Sequence, residues 1–334
     1  MARGLLFFAF VRTRDSWDLV KATFSEWVDD KASRLAAALA YYTAFSLAPL
    51  LVIAIGVAGL VFGDEAAQGR IVGELQSLMG PDGARFVEEL IAASRRPASG
   101  ITATVVGVVI LLFGATGVFG ELQDALNTIW GVKPGPSRQG LRGILKDRLL
   151  SFTMVLGTGF LLLVSLALSA AFAVIGSRVG GLLPFPEAAL QLVNFLVSLG
   201  FITLLFALIF KVVPDAKIAW RDVWIGALIT ALLFSLGKLV IGLYLGKSTV
   251  TSSFGAAASL AVMLIWIYYS AQILFIGAEF TQVYATRFGS RIRPARGAVA
   301  LTDEDRAQQG IARDPAPPEP EPDESPDAPR SAAR

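Results

Sequence analysis

RLAAALAYYTAFSLAPLL, residues 34–51, opens with a charge, places alanine at every fourth position from Ala36 to Ala48, and carries Pro49 near its far end. No Asp, Glu, Lys or Arg follows Arg34 until Asp64. About 20 helical residues cross a hydrocarbon core of roughly 30 Å, so this run reads as a membrane helix. In lipid, helices associate through close approach of small residues, because the tails are as apolar as leucine. The alanine ladder therefore predicts a helix neighbour along one side. Pro49 removes a backbone donor and frees the carbonyl of Phe45, which protein or water must meet. The result is either a kink filled by neighbours or a bend that opens a cavity.

The composition of the whole chain agrees with a membrane reading. Of 334 residues, 54% are hydrophobic and 17% charged. The mean hydropathy is +0.61, far above the soluble range. There is no cysteine and no histidine. Disulfides and thiolate chemistry are thereby excluded, and the commonest general base and transition-metal ligand are missing. The opening residues MARGLLFFAFVRTR resemble a signal peptide only faintly, since Arg12 and Arg14 follow a short apolar run without a small-residue cleavage site. They read as a retained cytoplasmic segment.

Charge-poor runs long enough to span predict six helices, at about 35–63, 97–120, 149–177, 188–210, 223–246 and 253–284. The expected fold is all-α, a polytopic six-span membrane protein with both termini on one side. Of the 29 Lys and Arg, 22 fall in the N-terminal segment, the second and fourth loops and the tail. Six fall in the first, third and fifth loops, and Lys238 lies inside a span. The positive-inside rule makes the termini cytoplasmic.

Three domains follow. Residues 1–34 form a cytoplasmic segment with an interfacial amphipathic helix, in which Trp17, Val20, Phe24, Trp27 and Val28 recur at helical spacing. Residues 35–290 form the membrane domain, with a periplasmic helical segment at 64–96 that GPDG (residues 80–83) divides into two short helices. Residues 291–334, rich in Pro and acids, form a disordered cytoplasmic tail.

Several residues are candidates for function, each with a plainer alternative. Lys238 lies beyond the midplane of the fifth span; it either snorkels to the outer interface or faces a polar cavity. Arg34, Tyr41, Tyr42, Pro49 and Glu279 complete a candidate substrate cavity. Asp30, Glu121, Asp124 and Asn127 form a candidate cytoplasmic mouth, or ordinary interfacial caps. Ser252, Ser253 and Gly255 precede the sixth span and form a candidate periplasmic anion site, or a simple helix cap. No P-loop, dinucleotide fingerprint or metal-ligand spacing occurs, and no catalytic residue, metal or cofactor is expected.

The motifs DDKASRLAAALAYYTAFSLAPLL, LQDALNTIWGV and SSFGAAASLAVMLIWIYYSAQILFIGAEF, with the six-helix layout, resemble the YihY/BrkB family of bacterial inner-membrane proteins. The likeness runs from about residue 20 to 290. The resemblance implies a multi-pass inner-membrane protein and carries over Asp30, Arg34, Tyr41, Tyr42, Pro49, Asn127, Trp130, Ser253, Gly255, Tyr269, Gly277 and Glu279 as motif positions. Ala258 departs from the SFGxAGS pattern, where relatives commonly carry glycine. Members once bore the name "ribonuclease BN", but RNA hydrolysis needs a general base or metals, and this chain offers neither a histidine nor a dense carboxylate cluster. The expected function is a transporter-like role for lipids or other amphiphilic anions of the envelope, with membrane lipids as partners and no nucleic acid. The alternatives are a scaffold of envelope assembly, with a homo-oligomer or envelope machinery as partner, and a small-solute or ion channel or carrier.

Overall fold

The computed structural model describes residues 13–94, 117–136, 187–247 and 258–311. It divides into two units, Met1–Leu301 and Thr302–Arg334. The first contains helices α1 (Thr13–Asp29), α2 (Ala32–Phe62), α3 (Asp64–Ser94), α4 (117–129), α5 (Glu187–Val212), α6 (Trp220–Lys247) and α7 (Ala258–Arg287). Among its described residues are also four short strands, β1 (Val132–Pro134), β2 (Ala216–Lys217), β3 (Arg293–Pro294) and β4 (Ala298–Ala300). The second unit contains α8 (Asp303–Gln308), opened by a capping box in which Asp305 Oδ2 accepts from Thr302 N at 2.9 Å.

Among the described residues, three helices are long and apolar enough to cross a membrane: Phe195–Val212, Trp220–Ile241 and Ser259–Arg287. Helix α2 makes a fourth if Ala32–Ala48 and Leu50–Gly56 are one span, bent by 48° where Pro49 lies. The bend expected from the proline is thus present, at the position where its missing N–H interrupts the helical ladder. The expected spans 149–177 and, up to residue 116, 97–120 lie outside the described residues.

Two apolar cores stack along α2 and α7. One gathers Ala32, Ala36 and Leu39 of α2, Leu126 and Ile129 of α4, Phe210 of α5, Ala227 of α6, and Phe275 and Ala278 of α7. The other gathers Ala40, Leu51 and Ile55 of α2, Val72, Val87 and Ile91 of α3, and Met263 and Ile267 of α7. The early half of α2 therefore shares a core with the late half of α7, so the two helices run antiparallel. Ala36 and Ala40, the first rungs of the ladder, are buried, and α2 packs against both α7 and α3.

Two expectations need correction. GPDG does not divide residues 64–96, because α3 runs unbroken through Gly80–Gly83. Its buried face of Val72, Ala84, Val87 and Ile91 lies on both sides of that sequence, and packing of one continuous face overrides local turn chemistry. Nor does a structureless tail begin at 291. Strand β3 pairs antiparallel with β2, with Ala216 opposite Pro294, and β4 pairs antiparallel with β1, with Lys133 opposite Val299. The chain turns between them at Gly297, whose φ of 86° suits glycine. Residues 312–334 lie outside the described residues.

Candidate functional site

The clasp made by these strands gathers three separate stretches of chain at one end of the bundle: the segment after α4, the connection from α5 to α6, and the segment after α7. Backbone bonds hold it, with Leu301 N donating to Gly131 O at 2.8 Å and Ala295 N donating to Asp215 O at 2.8 Å. Asn127, in the last turn of α4, is buried. Its Oδ1 accepts from the backbone N of Asp215 at 2.8 Å, and its Nδ2 donates to Asp215 Oδ2 at 3.3 Å. Gln123 Nε2 donates to the same oxygen at 3.3 Å. Asp215 is itself buried, so two amide side chains and the backbone supply what water would otherwise give its polar groups.

A second joint closes the clasp on the helix side. Asp222 lies in the first turn of α6, where the helix dipole favours a carboxylate. Its Oδ2 accepts from both the N and the Oγ of Ser290, each at 2.9 Å. A Cβ at Gly289 would lie 2.6 Å from Asp222 Cγ, so only glycine fits there. Lys211 Nζ donates to Ile218 O and stands 5.6 Å over the Trp220 ring. Trp130 packs edge-on to Phe210 at 5.8 Å.

Of the expected cytoplasmic-mouth residues, Asp30 and Asn127 are buried, Glu121 is half-buried and Asp124 is exposed. Partial burial, aided by the neighbouring Asp124 carboxylate, pushes the Glu121 pKa upward. Of the expected cavity residues, Glu279 is fully buried in α7. Arg34, Tyr41 and Tyr42 are exposed. Tyr41 forms an edge pair with Tyr42 at 5.8 Å and contacts the exposed Phe45 at 4.8 Å. Lys238 is exposed, beside exposed Leu236, Leu239 and Val240. Ser252, Ser253 and Gly255 lie outside the described residues. The structure thus brings Asn127 into a polar network with Gln123 and Asp215, and separately joins Asp222 to Ser290; sequence reasoning passed over these four partners. It does not gather Tyr41, Tyr42 and Lys238 with Glu279, since the first three face outward.

The profile of the family described as virulence factor BrkB matches residues 23–302. This chain belongs to the BrkB family. It is 31% identical over 269 residues to a UPF0761 membrane protein of Stenotrophomonas maltophilia (strain K279a), covering 78% of this chain and 59% of the relative. It is 33% identical over 297 residues to a UPF0761 membrane protein of Verminephrobacter eiseniae (strain EF01-2), covering 86% and 67%. A third, from Azotobacter vinelandii, is 28% identical over 79% of this chain and 62% of its own length. The chain thus spans about three-fifths of the length of the first of these curated relatives. No solved structure matches. The relatives' names describe membrane proteins, and with its apolar helices this chain is an integral membrane protein of the BrkB family. The BrkB match ends just past β4, so the clasp falls within it and α8 falls outside.

Proposed function

We propose that this BrkB-family chain is a six-span protein of the bacterial inner membrane, with both termini in the cytoplasm, that moves lipids or other amphiphilic anions and catalyses no reaction. The observation that carries this reading is the 48° bend of α2 across Pro49. Residues 32–39 of α2 lie in one core, whereas Ala40, Leu51 and Ile55, on both sides of the bend, lie in the other; a bent span so divided is suited to two packings of its late part against a fixed start. Two carboxyl groups support the reading: Asp30 at the start of α2 and Glu279 within the span of α7 are both buried. An ionisable group inside a span is by default a functional-site candidate. Lys238, exposed among apolar side chains, is placed to meet an anionic headgroup from the lipid side. Arg34, also exposed, takes the same role at the opposite end of the bundle. The test is purified full-length chain in liposomes with a labelled anionic lipid. Transfer above protein-free vesicles, lowered by Pro49→Ala, is the expected result, and transfer at the protein-free level sinks the reading.

The clasp favours a second reading, a scaffold for envelope machinery, because it ties the segment after α7 to the bundle by backbone bonds. Deleting 302–334 leaves β4 and the clasp in place. Loss of cellular function with membrane insertion intact would favour the scaffold.

A further inference from the structure

Helices α5 and α6 pack against each other, and between them lies an open groove of about 440 Å³. Its walls include Leu196, Leu199, Gly200 and Thr203 of α5 and Trp224 and Leu228 of α6. The volume falls in the range of small-ligand sites, roughly 300–1,000 Å³. Among the described lining residues the wall is mostly apolar, and their one hydroxyl, Thr203 Oγ1, donates to Leu199 O at 2.7 Å. Gly200 opens the groove, since a Cβ there would meet nothing within 4 Å. All these residues fall within the candidate spans Phe195–Val212 and Trp220–Ile241.

One end of the groove is chemically distinct. Trp224 lies one turn from Trp220, the rings 6.5 Å apart, and Lys211 stands over Trp220. Arg221 is exposed beside them. Two tryptophans and two cations at the end of a membrane hairpin form an interfacial belt, with positive charge at headgroup depth. From Thr203 back to Leu196 the α5 wall runs about 10 Å along the helix. We infer that this groove holds one acyl chain of an anionic phospholipid, with its phosphate at Lys211 and Arg221. A second copy of the chain would have to bury these cations against its own matching pair, because a two-fold interface sets the same patch against itself. The inference needs only that α5 and α6 cross the membrane. It does not require transport, and its test reads binding, so the two readings fail separately.

The test uses the full chain in phosphatidylcholine nanodiscs containing phosphatidylglycerol with a photoreactive group on its acyl chain, followed by peptide mapping. Labelling concentrated on peptides carrying 196–203 and 224–228, stronger than with a matched phosphatidylcholine probe, is expected. Gly200→Phe fills open space and should lower that labelling about ten-fold, or ~1.4 kcal/mol. Leu228→Trp, a second filling variant, should do the same, and Gly56→Phe, at an open position on α2, should not. Labelling unchanged by both filling variants, equal labelling by the two probes, or a disulfide between copies of Leu196→Cys in membranes would each overturn the inference.

Discussion

Helices α6 and α7 are locked by a reciprocal pair of glycines and threonines, and this contact yields the sharpest stability prediction. Gly226 and Thr230 are one turn apart on α6; Gly277 and Thr281 are one turn apart on α7. Thr281 sits against Gly226, where a Cβ would lie 2.8 Å from Thr281 Cβ. Thr230 sits against Gly277, where a Cβ would lie 2.7 Å from both Thr230 Cβ and Cγ2. Each hydroxyl is satisfied within its own helix, Thr230 Oγ1 on Gly226 O and Thr281 Oγ1 on Gly277 O, both at 2.7 Å. The side chains cannot rotate away without losing those bonds. Carbon pairs rest at about 3.5–4.0 Å, so Gly277→Ala must part the helices by roughly 1 Å along that line. Overpacking of this kind costs about 1–3 kcal/mol. A loss near 2 kcal/mol lowers the folded-to-unfolded ratio about 30-fold. The assay is equilibrium unfolding of the full chain in mixed micelles, followed by circular dichroism. The control is Gly56→Ala, which meets nothing within 4 Å and should gain up to about 1 kcal/mol from helix propensity. Adding Thr230→Gly to Gly277→Ala should restore more than half of the loss. If Gly277→Ala unfolds at the same midpoint as Gly56→Ala, the close approach is not what holds α6 to α7.

Asn127→Ala strips Asp215 of two hydrogen bonds, leaving its buried N–H unmet at a cost of about 1–3 kcal/mol, and hydrogen exchange at residues 213–218 should accelerate while α6 stays protected. Glu121 has a folded pKa raised above its ordinary 4.5, so the folded state holds that proton more tightly. The stabilisation is complete below 4.5 and is lost as pH rises through the raised value; Glu121→Gln should flatten this fall in an unfolding-midpoint series against pH. The chain lacks cysteine, so Lys217→Cys and Glu88→Cys, both at exposed positions, test topology cleanly. An impermeant thiol reagent should label position 88 and spare 217 in intact cells, and the reverse pattern would invert the orientation.

Much of the bundle can be read from charge alone. The charge-poor runs at 35–63, 188–210 and 223–246 fall on α2, α5 and α6, because in a membrane segment length and apolarity leave few alternatives to a helix. The bend at Pro49 is equally local, since a missing N–H acts within its own turn. The clasp has no such signature. Its strands are two or three residues long, too short for alternating polarity to register. Asn127 and Asp215 are 88 positions apart, and nothing in LQDALNTIW or KVVPDAK names the other as partner. Composition pointed the wrong way after residue 290, where prolines and arginines resemble a solvated tail although backbone pairing holds 293–300 in place. The Gly–Thr lock lacks a local signature for a related reason. Four-residue spacing of small groups is plain in the alanines of α2, whereas a glycine facing a threonine on another helix carries no signal within either stretch alone.

The position of Lys238 changes what Pro49 can mean. A lysine within a span has two inexpensive placements: pointing inward to polar partners, or pointing outward with its stem along lipid and its ammonium carried to the interface. The side chain is exposed next to Leu236, Leu239 and Val240, which is the second placement. The bend therefore does not share an enclosed cavity with this cation. Its surroundings are set by the neighbours of α2 instead, namely α7 and α3, so the freed carbonyl of Phe45 is a problem of helix packing. If the bend has a function, it acts by letting the half of α2 after Pro49 move with α3 while residues 32–39 stay fixed in the core beside the clasp. Spin labels on α3, at Glu88→Cys, and on the clasp side, at Lys217→Cys, should then report two distances in lipid that Pro49→Ala reduces to one. A single distance in both proteins would leave Pro49 as a packed kink and nothing more.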